Sequence, residues 1–515
     1  MYELIELIRL IDISKLKSIG LWAILFERGS KQKQLFEGIY AGSITNDATA
    51  AALLYPDQPE GRKLYNLSER LKERLVNLVF LLDFQGSSFS TRQEAYLEAN
   101  KKWLAANTLM SKNARLIGVE ILENLLKQST HFEFTDLTLY AAGLLRLHYG
   151  MIKGDQVRYD FYRLLHQKYQ QVWTMETAVE ELYVHLTSHY VNAKATRLEV
   201  TQTAREYYAQ VEPYMAKSSA FRLQLCGRMI QMTIYTSQND YARAAELCEE
   251  AIAFFRAKPF DGTLAFRVFY YQLIVSCIQL KEFERGKKTI EEYQSLYAEG
   301  TFNWFKLQEM FFLLAIHTRH YTDATVICNR LRLHTSFNSQ PAQITEIWKI
   351  YAAYSYYLQV IGRAPMVQDG NPASRFKIGK FMNEIPTFSK DKQGMNIPIL
   401  IIQILFSIQD KNYVQTIDRI EAVKKYCSRY LHRDDNFRSN CFIRLLLQIP
   451  EGAFHRKAVL RRADKYLAQL SSVPLEGAHQ SHEIEIIPYE DLWQMAIDSL
   501  PNRVINTRLY KGSNV

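Results

Sequence analysis

The chain carries a pattern that returns about every 40 residues: an aromatic residue, a small one three positions on, then apolar residues four and three positions further. It reads Tyr241, Ala244, Cys248, Ala251, then Phe283, Gly286, Ile290, Tyr293, then Tyr321, Ala324, Cys328, Leu331, and once more Tyr413, Thr416, Ile420, Val423. Offsets of three and four place each set on one face of an α-helix. The second position is small because a neighbouring helix crosses there. One helix pair cannot bury such a face alone, so the repeat predicts a stack of pairs.

The rest of the chain is read around that stack. Only 13 Pro and 21 Gly in 515 residues argue against a β-sandwich and for long helices with short loops, and 48% hydrophobic residues exclude a disordered chain. Ala204 begins an earlier copy, so the array starts no later than residue 197. The wide interval between Ala324 and Thr416 should hold one diverged pair. The expected fold is an all-α solenoid of antiparallel helix pairs: an irregular helical region at 1–130 that includes a candidate helix-turn-helix, the repeat array at 131–440, and a basic helical cap and tail at 441–515.

Within the first region, Leu64, Leu67, Leu71, Leu75, Leu78 and Leu82 form an apolar ladder with Arg70, Lys72 and Arg74 largely opposite. A turn-rich stretch at 362–380 reads as an insertion between helices and carries Arg375, Lys377 and Lys380. Near the end, a basic helix is expected over 455–471, and 482–487 alternates like a short strand.

The formal charge of +9 is concentrated late in the chain. Eleven Lys and Arg, among them Arg438, Arg456, Lys457, Arg461, Arg462 and Lys465, face five acids between 421 and 465. Such a surface attracts acidic protein or nucleic acid, and it also fits a solvated helix face. None of the six cysteines has metal-ligand spacing, and several fall on helix faces, which fits reduced core thiols in an intracellular protein. The N-terminus lacks the pattern of a signal peptide. The longest apolar run, 397–408, is short of the roughly 20 residues that cross a bilayer. A cytoplasmic protein without a membrane partner is expected.

Chemistry leaves little trace. Phosphate-loop, dinucleotide, zinc-protease and nucleophile-elbow motifs are all missing from the sequence. His479, His482 and Glu483 come nearest to a metal site and lack a further ligand in sequence. No catalytic residue, metal or cofactor is assigned.

The best repeat copy, residues 241–251 with Tyr235 before it, resembles the tetratricopeptide repeat, and the similarity extends over 197–340 and 390–432. The units are longer than that family's 34 residues, and the Trp-Leu-Gly positions of its first helix are largely absent. The resemblance implies a groove lined by first-helix residues, here Tyr271, Val275 and Ile278, although the same residues would serve as core. The stretch 47–59 followed by the Leu64 helix resembles the winged-helix domain of bacterial activators with such repeats, which implies DNA contacts by Arg70, Lys72 and Arg74. No wing hairpin follows Asp83.

Together these features lead to the expectation of a non-catalytic scaffold or regulator that binds a partner peptide or helix in its groove. Arg375, Lys377, Lys380, Arg456, Lys457, Arg461 and Arg462 would meet an acidic part of that partner. Two alternatives remain: a DNA-binding regulator using the N-terminal helices, and RNA or single-strand binding along the basic C-terminal surface, where Tyr426 and Arg433 bound a run of aromatic and basic residues. Oligomeric state is left open.

Overall fold

The structure, a computed structural model, describes residues 1–9, 26, 29–56, 62–79, 91–192, 196–366, 376–379, 381, 396–430, 437–475, 485–503 and 505. The chain divides into two compact units, Met1–Arg163 and Leu164–Val515. Among the described residues the secondary structure is helical, and no strand occurs.

The first unit begins with α1 (Tyr2–Arg9), α2 (Lys31–Tyr40), α3 (Asp47–Leu54) and α4 (Arg62–Val79). Leu4, Ile8, Phe36 and Ile39 close a small core with Leu64, Leu71 and Leu75 of the apolar ladder. Leu67 is partly buried against it, while the side chain of Leu78 and all of Leu82 lie outside the described residues. Asn46 and Thr49 form a reciprocal capping box that starts α3. The unit continues with α5 (Thr91–Ser111), α6 (Arg115–His131), α7 (Thr135–Leu147) and a π-helical turn, His148–Lys153, that ends at a left-handed Gly154.

Helix α8 (Gln156–Asn192) starts in the first unit and continues into the second. The second unit then runs through α9 (Arg197–Lys217), α10 (Phe221–Ser237), α11 (Tyr241–Arg256), α12 (Thr263–Leu280), α13 (Phe283–Gln294), α14 (Phe302–His317), α15 (Tyr321–Arg332) and α16 (Ala342–Val360). After an interval mostly outside the described residues come α17 (Asn396–Gln409), α18 (Tyr413–Tyr430), α19 (Phe437–Glu451), α20 (Arg456–Ser471) and α21 (Tyr489–Asp498). From α9 to α16, and again from α16 through α17 to α20, each helix packs on the one before it; α12 also packs on α14, and α14 on α16. This succession of antiparallel neighbours, with first helices stacked on first helices, is the solenoid arrangement.

The four repeat copies fall on α11, α13, α15 and α18, each the second helix of a pair. Ala244, Ala324 and Thr416 are fully buried, as are the apolar residues that follow them. Gly286 shows why the position must be small: a Cβ there would lie 2.6 Å from Leu314 Cδ2 and 3.1 Å from Cys277 Cβ. The two neighbours belong to α14 and α12, so helices press on α13 from both sides. Of the diverged pair expected in the wide interval, α16 is described together with residues 376–379 and 381, while 367–375, 380 and 382–395 lie outside the described residues.

Each pair is joined by the same turn, which the sequence did not announce. Asn239, Lys281, Arg319 and Lys411 adopt left-handed backbone with φ between 57° and 64°, each two residues before a repeat aromatic. The next amide donates to the carbonyl five residues back, as from Glu282 to Cys277 and from Asn412 to Ser407, both at 2.9 Å. This is the Schellman closure, which glycine usually makes. It also occurs at Asn113 and Glu133 in the first unit, so α5, α6 and α7 are joined by the same device.

Helix α12 is long and apolar enough by composition to cross a membrane, with mean hydropathy 1.3, yet it sits inside the array with Phe269, Leu273, Ile274 and Cys277 buried against neighbours. The expected strand at 482–487 is corrected over its described part. Glu485, Ile486 and Ile487 are all buried, so no exposed face alternates with a buried one, and Glu485 instead accepts the Tyr489 amide at 2.7 Å to cap α21.

Candidate partner-binding surfaces

Tyr271, Val275 and Ile278 share α12 but do not share a surface. Tyr271 is 45% exposed, Val275 is half-buried against the core, and Ile278 is buried at the turn end of the helix, where it borders a separate cleft of about 470 Å³. Tyr271 instead opens onto a cleft of about 270 Å³ between the first helices α12 and α14. Tyr293 and Tyr297 line one side; Lys306, Glu309 and Met310 line the other.

The polar groups of this cleft are held in place. Tyr293 donates to the Arg267 carbonyl at 3.0 Å and its hydroxyl meets that of Tyr297 at 2.6 Å. Burial pushes the Tyr293 phenol far above its ordinary value, so it remains a neutral donor. Glu309, almost fully buried, accepts from Lys306 Nζ at 2.9 Å and from the Tyr351 hydroxyl at 3.0 Å, which ties α14 to α16. The Arg267 guanidinium lies 5.6 Å from the Tyr297 ring centre. The lining thus combines fixed aromatic faces, an apolar floor and an internally balanced ion pair, the composition of an anchor pocket for a side chain.

In the sequence Tyr293 reads as a packing position of the repeat, and no pattern singles out Tyr297, Lys306, Glu309 or Met310. One signal was available: Glu309 is the lone acid in Phe302–His317, an otherwise strongly apolar helix.

The basic residues separate into paired and unpaired groups. Arg456 donates to Asp498 at 2.7 Å and Arg462 to Glu451 at 2.6 Å. Lys457, Arg461 and Lys465 are exposed on α20 without an ion pair among the described residues. Lys377 is exposed, while Arg375 and Lys380 lie outside the described residues, as do His479, His482, Glu483 and the side chains of 426–433.

Arg438, counted with the surface bases, is corrected: it is 1% exposed and forms the centre of a buried network. Its guanidinium donates to Glu485 at 2.9 and 2.6 Å, to Glu490 at 2.9 and 2.6 Å, and to the Val473 carbonyl at 2.7 Å. Burial alone would depress it, but its hydrogen bonds to the two carboxylates hold it charged well above its ordinary value. The same segment reaches back to the array, where Asp491 accepts hydrogen bonds from Nε and Nη2 of Arg319 at 3.1 and 2.7 Å.

On α4, Lys72 pairs with Glu3 of α1, and Arg74 donates to Gln32 of α2 at 2.7 Å. Arg70 is exposed on that helix between Glu69 and Glu73. Among the described residues no three His, Cys, Asp or Glu side chains converge in a way that could hold a metal ion. The five cysteines whose side chains are described are free thiols. Burial pushes Cys226 and Cys328 up to about 11 and Cys277 up to about 12, which leaves them inert at neutral pH.

No family model, curated protein or solved structure matches this chain.

Proposed function

We propose that this chain is a non-catalytic, tetratricopeptide-like interaction protein of the cytoplasm, acting as a scaffold or regulator, which seats an anchor side chain of a partner peptide or helix in the Tyr271 cleft. The observation that carries the reading is the position of that cleft. It lies between two successive first helices, the face that the family resemblance assigns to ligands, and exposed Tyr271 stands at its mouth over a partly apolar floor. Pre-ordered tyrosines suit such a role, because their hydrogen bonds fix the rings before binding and lower the entropy cost of recognition.

A DNA-binding reading has weaker support. Of the three residues expected to touch DNA, Lys72 and Arg74 already have partners within the first unit.

The test places a photo-crosslinking phenylalanine analogue at Tyr271 of the full chain and compares capture with the same probe at Tyr2 of the first unit, which is 85% exposed. The reading expects a protein captured only at Tyr271, and lost when Asn303→Trp plugs the cleft. Capture that is identical at both positions, or unaffected by the plug, counts against it.

A further inference from the structure

The paired and unpaired cations on α20 draw a boundary that composition does not. Its buried side, Val459, Ala463 and Leu470, packs on α19, leaving the opposite side to solvent. At the two edges, Arg456 and Arg462 are neutralised by Asp498 and Glu451. What remains is Lys457, Arg461 and Lys465, spaced i, i+4 and i+8 and all exposed. At about 1.5 Å per residue they span about 12 Å, one cation per turn. Leu460, 40% exposed, stands beside the row, with Asp464 one turn beyond it.

From this we infer that the Lys457, Arg461 and Lys465 row is a docking ridge for an acidic helix of a protein partner, one presenting carboxylates at i, i+4 and i+8 with an apolar residue between them. Charge complementarity selects the acid, and the one-turn spacing selects the helix, since rows of side chains four apart interdigitate when helices pack. Two features favour protein over nucleic acid. Asp464 would repel a phosphate chain, whereas a protein can offer it a cation. Bases need an exposed ring to stack on, but Tyr466, the one aromatic on α20, is half-buried with Lys465 Nζ 4.6 Å from its ring centre. The inference does not rest on the Tyr271 cleft, and the two fail independently.

The test measures binding of the full chain to a labelled helical peptide of about 15 residues carrying that Glu and Leu pattern. A permuted peptide of equal composition and a single-stranded oligonucleotide of similar charge serve as comparators. The patterned peptide should bind tightest, and weaken about tenfold or more as salt rises from about 0.05 to 0.2 M. K457A/R461A/K465A should lose about tenfold or more at low salt, while R456A/R462A, which removes two cations already paired within the chain, should change affinity by less than about threefold. The inference is overturned if the patterned peptide does not bind, if it binds no better than the permuted one, if both variants lose affinity equally, or if the oligonucleotide binds more tightly.

Discussion

Replacing Arg438 by Met should selectively loosen the C-terminal helices, and the size of the effect follows from what the change strands. Glu485 is fully buried and would keep one hydrogen bond among those described, from the Tyr489 amide. It can then remain as a buried anion without its guanidinium counter-charge or take up a proton. With an ordinary carboxyl pKa of about 4.3 and about 1.36 kcal/mol per pH unit, protonation at pH 7 costs about 3.7 kcal/mol. That agrees with the roughly 3–5 kcal/mol found when one partner of a buried ion pair is removed. The cheaper escape sets the loss, so about 4 kcal/mol is expected at pH 7 and about 1 kcal/mol at pH 5, where the proton is easily supplied. Amide hydrogen exchange gives the local readout. After correction for intrinsic rates, protection over Tyr489–Asp498 should fall about a thousandfold at pH 7 and less than about tenfold at pH 5, with α11 and α13 unchanged. Arg438→Leu combined with Glu485→Leu should recover most of the loss, since neither charge is then stranded. A pH-independent loss, or one below about tenfold at pH 7, would refute the reasoning.

Three further outcomes can be checked. Gly286→Leu should destabilise the second unit by about 1–3 kcal/mol in chemical denaturation, because α12 and α14 leave no room at that position; an unchanged midpoint would contradict the crossing. Lys411→Gly should raise the melting temperature, with a net gain of about 0.5 kcal/mol once left-handed strain is set against the extra entropy of unfolded glycine, while Lys411→Val should lower it. His148 is 5% exposed, and burial, aided by Lys153 and Arg115, pulls its imidazole below the ordinary value against the opposing charge of Glu123. The unfolded chain therefore binds this proton more readily, so stability of the first unit should fall as pH drops through about 6.5. His148→Gln should flatten that slope in melting curves taken between pH 7.5 and pH 5.5, about one unit either side of the ordinary histidine value, and an equal slope in both proteins would remove His148 as its source.

The array was legible because its information is local and periodic. Ala244, Gly286, Ala324 and Thr416 are small for a reason that repeats with every pair, and the ladder through Leu64, Leu71 and Leu75 declares a buried helix face by spacing alone. Helix α20, read over 455–471, forms as Arg456–Ser471 with His455 as its cap. The turns were not legible. Lys281, Arg319 and Lys411 hold a conformation that costs an L-residue about 1–2 kcal/mol, and it persists because both flanking helices are locked by packing, which no local pattern reveals.

The sequence by itself therefore determined the helices, their pairing and the faces they bury, since these follow from periodicity along one segment. Tertiary structure decided which polar residues act. Arg438 and Arg461 read alike in sequence, yet one is enclosed by carboxylates 47 and 52 positions away and the other faces solvent. Tyr271 becomes part of a cleft only when α13 brings Tyr293, and α14 brings Lys306 and Glu309, beside it. The physical reason is one of range: helix formation and amphipathicity are set by neighbours three or four residues apart, whereas the burial of a charge or the mouth of a cleft is set by segments that meet only after the chain has folded.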